Sequence, residues 1–155
     1  MLKPVFPDID YFVCNGQKFE KSEYFKEPIF SKVEFYNHLQ FLDVCDYEFT
    51  RDLYNDVDYV FHLAAESRLQ PAIKNPINAV TKNAVGTCTV LQCAREAGVK
   101  KVIYSSTSSA YGLNKYPNYE TDPNDCLNPY SVSTVAGEEL CTLYTNLYGL
   151  KTVIF

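Results

Sequence analysis

What these 155 residues lack removes several classes of function at once. There is no cationic run: the basic residues are scattered apart from the pair Lys100-Lys101, and 19 acidic against 14 basic residues leave a net charge of -5. A nucleic acid or an anionic membrane surface is therefore excluded as the main partner. No apolar stretch approaches membrane-spanning length, and Met1-Leu2-Lys3-Pro4 has neither the charged nor the apolar region of a secretion signal, so the chain reads as cytoplasmic. The six cysteines contain no C-x-x-C pair, and His38 and His62 are the only histidines. A metal site needs such ligands clustered at short spacing, so no metal is expected and the thiols read as reduced and buried or half-buried. Repeats, low-complexity tracts and a disorder signature are also missing. What remains, 46% hydrophobic and 21% charged, is the make-up of one soluble globular domain large enough to bury a core.

Periodicity organises the chain from residue 58 onward. Residues 58–63, Asp-Tyr-Val-Phe-His-Leu, form a short apolar run ending in Ala64-Ala65, the pattern of a buried parallel strand. Pro76 then opens a helical pattern through Val80, Ala84, Thr87, Val90, Leu91 and Ala94, closed by Gly98, which predicts a helix of about five turns. A second strand, Val102-Ile103-Tyr104, runs into Ser105-Ser106-Thr107-Ser108-Ser109, followed by a loop rich in Pro, Asn and Asp. Pro129 suits a first helical turn, and Val132, Val135, Ala136, Leu140, Leu143, Tyr144 and Leu147 mark a second long helix ending at Gly149. A last strand begins at Thr152 and the chain stops inside it at Phe155, which reads as a truncated domain.

Strand, helix, strand, helix, strand is the order of a doubly wound parallel α/β sheet. The first 40 residues differ. They carry Pro4, Pro7 and Pro28, an Asn15-Gly16 turn signal and aromatics without a sustained period, and read as an irregular segment with short strands at 33–35 and 39–42.

An open α/β sheet binds ligands at the carboxyl ends of its strands, and polar and small residues gather there. After the first strand stand Leu63-Ala64-Ala65-Glu66-Ser67-Arg68, after the second Ser105-Ser106-Thr107, and after the loop Tyr130-Ser131-Val132-Ser133-Thr134. Small residues let a flat ligand approach the backbone, and a hydroxyl beside a tyrosine can relay a proton. The chemistry alone implies no more than a hydroxyl-rich site.

Four strings in fixed order carry a resemblance: 62–68 (His-Leu-Ala-Ala-Glu-Ser-Arg), 83–87 (Asn-Ala-Val-Gly-Thr), 104–112 (Tyr-Ser-Ser-Thr-Ser-Ser-Ala-Tyr-Gly), and Pro129-Tyr130 with Ala136-Gly137-Glu138. Over residues 41–155 the chain resembles the extended short-chain dehydrogenases/reductases, in particular the NAD-dependent epimerases of nucleotide sugars. The resemblance implies a partial Rossmann-like domain at 41–155, NAD as cofactor and a nucleotide sugar as substrate. It implies that Asp43 and Val44 contact adenine, although Asp43 alone reads equally well as a solvated turn residue. It places Leu63, Ala64 and Ala65 along the dinucleotide and Asn83 beside it, and makes Thr107 and Tyr130 the catalytic hydroxyl pair. Ser67 and Arg68 fall where substrate approaches, with Arg68 open between substrate contact and surface charge.

The departures from the family are as informative as the matches. The family places a lysine four residues after the tyrosine, on the same helix face, where its charge lowers the tyrosine pKa. Here that position is Thr134. A tyrosine without such a cation titrates near ~10 and supplies little phenolate at neutral pH. The family's glycine-rich turn, which binds the pyrophosphate, has no counterpart: Gly16 is the only glycine before Gly86, and 10–16 is not read as the ribose-binding turn. The family's carboxyl-terminal substrate domain is also missing from the pattern. The family's 4,6-dehydratases carry Asp-Glu directly after the catalytic hydroxyl residue, whereas Ser108-Ser109 follow Thr107, which favours the 4-epimerase branch. Two readings follow from these departures: a 4-epimerase-like chain with little or no activity alone, or a noncatalytic module that pairs with itself, an intact homologue or a split-gene partner through its two long helices.

Overall fold

A computed structural model of the chain describes residues 11–14, 17–20, 43–114 and 116–155, in two units, Met1–Phe41 and Leu42–Phe155. In the first unit β1 (Tyr11–Cys14) pairs antiparallel with β2 (Gln17–Glu20), Cys14 standing opposite Gln17. The two residues between them in sequence are Asn15-Gly16, the pair that most favours a two-residue hairpin loop. The segment read as irregular thus holds two paired strands, each too short at four residues to show a period. The strands expected at 33–35 and 39–42 lie outside the described residues.

The second unit begins with α1 (Tyr47–Thr50), capped by the Asp46 carboxylate, and a 3-10 turn, Arg51–Tyr54. Three parallel strands follow in the order β3 (Tyr59–His62), β4 (Lys101–Tyr104), β5 (Thr152–Ile154), each within a residue or so of its expected position. Short apolar runs bounded by polar turns dictate that outcome.

Between β3 and β4 the chain makes α2 (Leu69–Lys74), which periodicity did not reveal, and then one long helical rod. The rod starts as α3 (Pro76–Val80) with the Asn75 side chain accepting from Asn78 N–H, passes through a π-helical turn, Thr81–Val85, and continues as α4 (Gly86–Glu96). Gly98, at φ 72°, ends it as the sequence predicts. Between β4 and β5 runs α5 (Pro129–Tyr148), whose first turn is held by Asn128 Oδ1 accepting from Ser131 N–H at 2.9 Å. Gly149 leaves the helix in the left-handed region at φ 73° and lets Leu150 N–H turn back to the Tyr144 carbonyl at 3.3 Å.

The core lies between the sheet and α4 and α5, and joins Leu91, Ala94, Val99, Val102, Tyr104, Cys141, Tyr144 and Leu150. Pairing register puts Val60, His62, Val102 and Tyr104 on this face and Tyr59, Phe61, Ile103 and Val153 on the other. Tyr59 and Phe61 are 57% and 68% exposed, so among the described residues helices cover one face of the sheet, as in a partial doubly wound fold.

The apolar residues that mark α5 in the sequence do not make up its buried side. Of Val132, Val135, Ala136, Leu140, Leu143, Tyr144 and Leu147, only Tyr144 is buried, while Val132, Leu143 and Leu147 are exposed. The buried side is instead Ser131, Ser133, Thr134, Gly137, Cys141 and Tyr144. Small residues win there because α5 presses onto the Tyr104 ring: a Cβ on Gly137 would overlap the Tyr104 hydroxyl.

Candidate functional site

The carboxyl ends of β3 and β4 and the first turns of α5 come together through a buried polar layer. Its centre is Asn83, 1% exposed, in the π-helical turn. Its Oδ1 accepts from Glu66 N–H at 2.7 Å, and its Nδ2 donates to the Glu66 carbonyl at 3.2 Å and to Ser133 Oγ at 3.0 Å. Both amide hydrogens are thus committed inside the protein, and the loop after β3 is held at a fixed distance from α5. Asn83 stands behind that loop.

His62 lies beneath. Its Nε2 stands 2.9 Å from Thr87 Oγ1, and the Thr87 hydroxyl donates to the Asn83 carbonyl at 2.5 Å. Since that hydroxyl has one proton and gives it to Asn83, Nε2 must be the protonated nitrogen. Burial pushes the His62 pKa down to about 4, so the ring is neutral at physiological pH. His62 also packs its ring against Tyr104 at 5.5 Å between centroids.

Tyr104 ties β4 to α5 by donating to the Thr134 carbonyl at 2.9 Å. Burial raises its phenol pKa to about 12, and the negative charge of Glu138 adds to the rise. Ser106 is fixed from two sides, its hydroxyl donating to Glu138 and its N–H to the Phe155 carbonyl at 2.8 Å. Thr107 follows and caps the 3-10 turn Ser108–Tyr111, its hydroxyl accepting from Ser109 N–H at 3.1 Å. Tyr130 is half-buried in the first turn of α5. Among the described residues no hydrogen bond joins Thr107 to Tyr130.

Thr134, at the position of the family lysine, is 2% exposed and donates its only hydroxyl proton to the Tyr130 carbonyl at 2.9 Å. It has neither charge nor a free proton to offer a ligand. The remaining expected residues are more open. Leu63, Ala65, Ser67 and Arg68 are exposed, Ala64 is half-buried, and Arg68 N–H donates to Glu66 Oε1 at 3.4 Å.

Asp43 sits in a tight turn closed by Asp46 N–H to the Asp43 carbonyl at 2.9 Å, as its turn reading expects. Its Oδ1 accepts from Cys45 N–H at 3.0 Å and its Oδ2 from Lys82 Nζ. The hydrogen bond from Lys82, then that from Cys45 N–H, lower the Asp43 pKa, and the same partner raises that of Lys82. The turn is seated on the helical rod: Cys45 Sγ donates to the Thr81 carbonyl at 3.3 Å, and a Cβ on Gly86 would come within 2.9 Å of the Val44 side chain.

Sequence reading missed Glu66, Ser133, Lys82 and the anchoring role of Glu138. Glu66 and Glu138 lay within strings that carry the resemblance, and Ser133 stood one residue before the substituted lysine; nothing local marked Lys82. Among the described residues no group of three or more His, Cys, Asp or Glu could hold a metal ion, and no helix is long and apolar enough to cross a membrane. Cys45, Cys88, Cys93, Cys126 and Cys141 are free thiols.

Comparison with known proteins places this geometry. The chain is 35% identical over 114 residues to UDP-glucose 4-epimerase of Lacticaseibacillus casei, covering 72% of this chain and 34% of that protein. It is 31% identical over 150 residues to dTDP-D-glucose 4,6-dehydratase of Mus musculus, covering 94% of this chain and 42% of that one. The crystal structure of UDP-glucose 4-epimerase from Thermotoga maritima with UDP-glucose superposes with a TM-score of 0.70 at 29% identity, over 73% of this chain and 38% of that one. The chain thus spans between 34% and 42% of the length of the two curated relatives described. The family model for the NAD dependent epimerase/dehydratase family matches residues 14–155, starting well upstream of the point where the sequence strings begin. A parallel sheet with its polar residues at the strand ends, in an order shared with nucleotide-sugar epimerases and dehydratases, makes this chain a member of the NAD dependent epimerase/dehydratase family, with a partial Rossmann-like fold.

Proposed function

We propose that the chain is a cytoplasmic, 4-epimerase-like member of the nucleotide-sugar branch of this family, with little or no turnover on its own. The observation that carries the second half of that reading is the burial of Thr134 and the engagement of its proton by the Tyr130 carbonyl. No cation stands at the lysine position to favour the phenolate, and proton abstraction by Tyr130 slows by orders of magnitude at neutral pH.

The residues present fit one half of NAD. Asp43 and Val44, seated against Gly86, would hold adenine, and Leu63, Ala64 and Ala65, with Asn83 fixing the loop behind them, would line the dinucleotide. For the nicotinamide ribose no lysine is present, Thr134 standing at that position. Bound NAD would supply a hydride acceptor. In this reading Thr107 and Tyr130 face the hydroxyl of a nucleotide sugar, and Ser67 and Arg68 border its path of approach. Ser108-Ser109, where a dehydratase carries an acid and a base, support the epimerase branch. Interconversion of UDP-glucose and UDP-galactose with added NAD, followed for the wild type, tests the reading: turnover like that of an intact epimerase would overturn it.

A second reading, a noncatalytic module pairing with another copy, an intact homologue or a separately encoded partner, is favoured by one observation. Val132, Leu143 and Leu147 of α5, and Ile77 and Val80 of α3, are apolar and exposed. Size measurement alone and after mixing with an intact homologue tests it. A chain that stays monomeric and ignores every homologue loses this role.

A further inference from the structure

The Asp43 carboxylate, which in the reading above faces adenine, already has a partner on each oxygen. Oδ1 is tied into its own turn by Cys45 N–H at 3.0 Å. The turn is held in place, because the Cys45 thiol is anchored to the Thr81 carbonyl and Val44 is wedged at Gly86. Oδ2 takes no part in that turn bond, and Lys82 Nζ holds it. Lys82 is 35% exposed and Asp43 47%, so both groups remain within reach of a dissolved ligand. Lys82 is carried by the π-helical turn, one residue after the Thr81 that receives the thiol.

We propose that Lys82 is a built-in competitor at the adenine edge of this site: its ammonium occupies the Asp43 oxygen that a purine amino group would take, and an adenine-bearing ligand enters by displacing it. The inference rests on the adenine reading of Asp43 and Val44. It explains a difference of kind between the two ends of the site. At Thr134 a needed cation is missing, whereas at Asp43 a cation is present and stands in the way. An ion pair this exposed is weak, so the competition lowers affinity by a factor of about 2 to 5 and does not abolish binding.

Adenosine is the probe, because it has no phosphate and gains nothing from the lysine charge. The full chain is titrated with adenosine while the Cys45 backbone amide is followed by nuclear magnetic resonance, for wild type, Lys82→Met, Lys82→Arg and Asp43→Ala. Lys82→Met is expected to bind about 2- to 5-fold tighter than wild type at low ionic strength. The gap closes at high ionic strength, where screening loosens the pair, and Lys82→Arg behaves as wild type. Equal affinity in wild type and Lys82→Met, with loss in Asp43→Ala, would overturn the competition and leave the adenine reading standing. Weaker binding by Lys82→Met would also overturn it, by showing that the lysine assists. Absence of adenosine binding in all four proteins would overturn the adenine reading and the competition together.

Discussion

The two ends of the buried layer between the sheet and its helices are built from different chemistry. Toward the carboxyl end of α5 the layer is apolar: Leu91, Ala94, Val102, Cys141 and Leu150 pack with Tyr144. Toward the strand ends it is polar: His62, Asn83, Thr87, Ser133 and Thr134 are all buried. No buried side-chain nitrogen or oxygen among the described residues lacks a hydrogen-bond partner. Apolar packing is non-directional and tolerates small displacements, whereas a satisfied hydrogen-bond layer fixes distances. One end therefore supplies cohesion, and the other sets the spacing of the loops that form the candidate site.

This contrast can be broken at four places, in decreasing order of effect. Leu91→Ala opens a cavity in the fully buried apolar end and is expected to cost about 2 to 5 kcal/mol by denaturant unfolding. A loss under about 1 kcal/mol would mean that this end is not the source of cohesion. His62 gives the polar end a pH signature. Its folded pKa, about 4, lies below the ordinary 6.5, so the unfolded chain binds the extra proton first. Its contribution is complete above pH 6.5 and declines as pH falls toward about 4, by about 3 kcal/mol in all. Unfolding of wild type against His62→Gln across that window measures it, and parallel stability curves would contradict the burial of a neutral ring.

Asn83→Leu removes three hydrogen bonds and leaves the Glu66 N–H without its partner, a loss of about 2 kcal/mol. Amide exchange at Glu66 should accelerate selectively, while the amides of β4 keep their protection. The smallest effect belongs to the solvent side. Lys82→Met severs an exposed ion pair and should change stability by no more than about 0.5 kcal/mol, read as an unmoved unfolding midpoint.

The apolar end was the more legible of the two in the sequence. The runs at Tyr59–His62, Lys101–Tyr104 and Thr152–Ile154 announce strands, and Asn128-Pro129 with Gly149 bracket α5 closely. The polar end was only half legible. Its residues stood out as family strings, but their mutual bonds did not, because Asn83, Glu66 and Ser133 are separated by 17 and 50 residues along the chain. Helical periodicity marked α5 but not its buried side, which is made of small residues set against Tyr104. The competitor at Asp43 was invisible for the same reason of distance: Lys82 is 39 residues away.

The π-helical turn at Thr81–Val85 has a consequence for how this rod tolerates change. A π turn holds one residue more than the α-helix on either side of it, so removing a single residue there would restore regular winding. Were that residue kept and the turn wound as regular α-helix, everything beyond it would instead rotate by about 100° relative to what precedes it. Leu91 and Ala94 would swing off the core, or else Ala79 would leave its buried place. The rod is thus two amphipathic helices out of phase with each other, and the single extra residue that joins them lets both bury their inner faces at once.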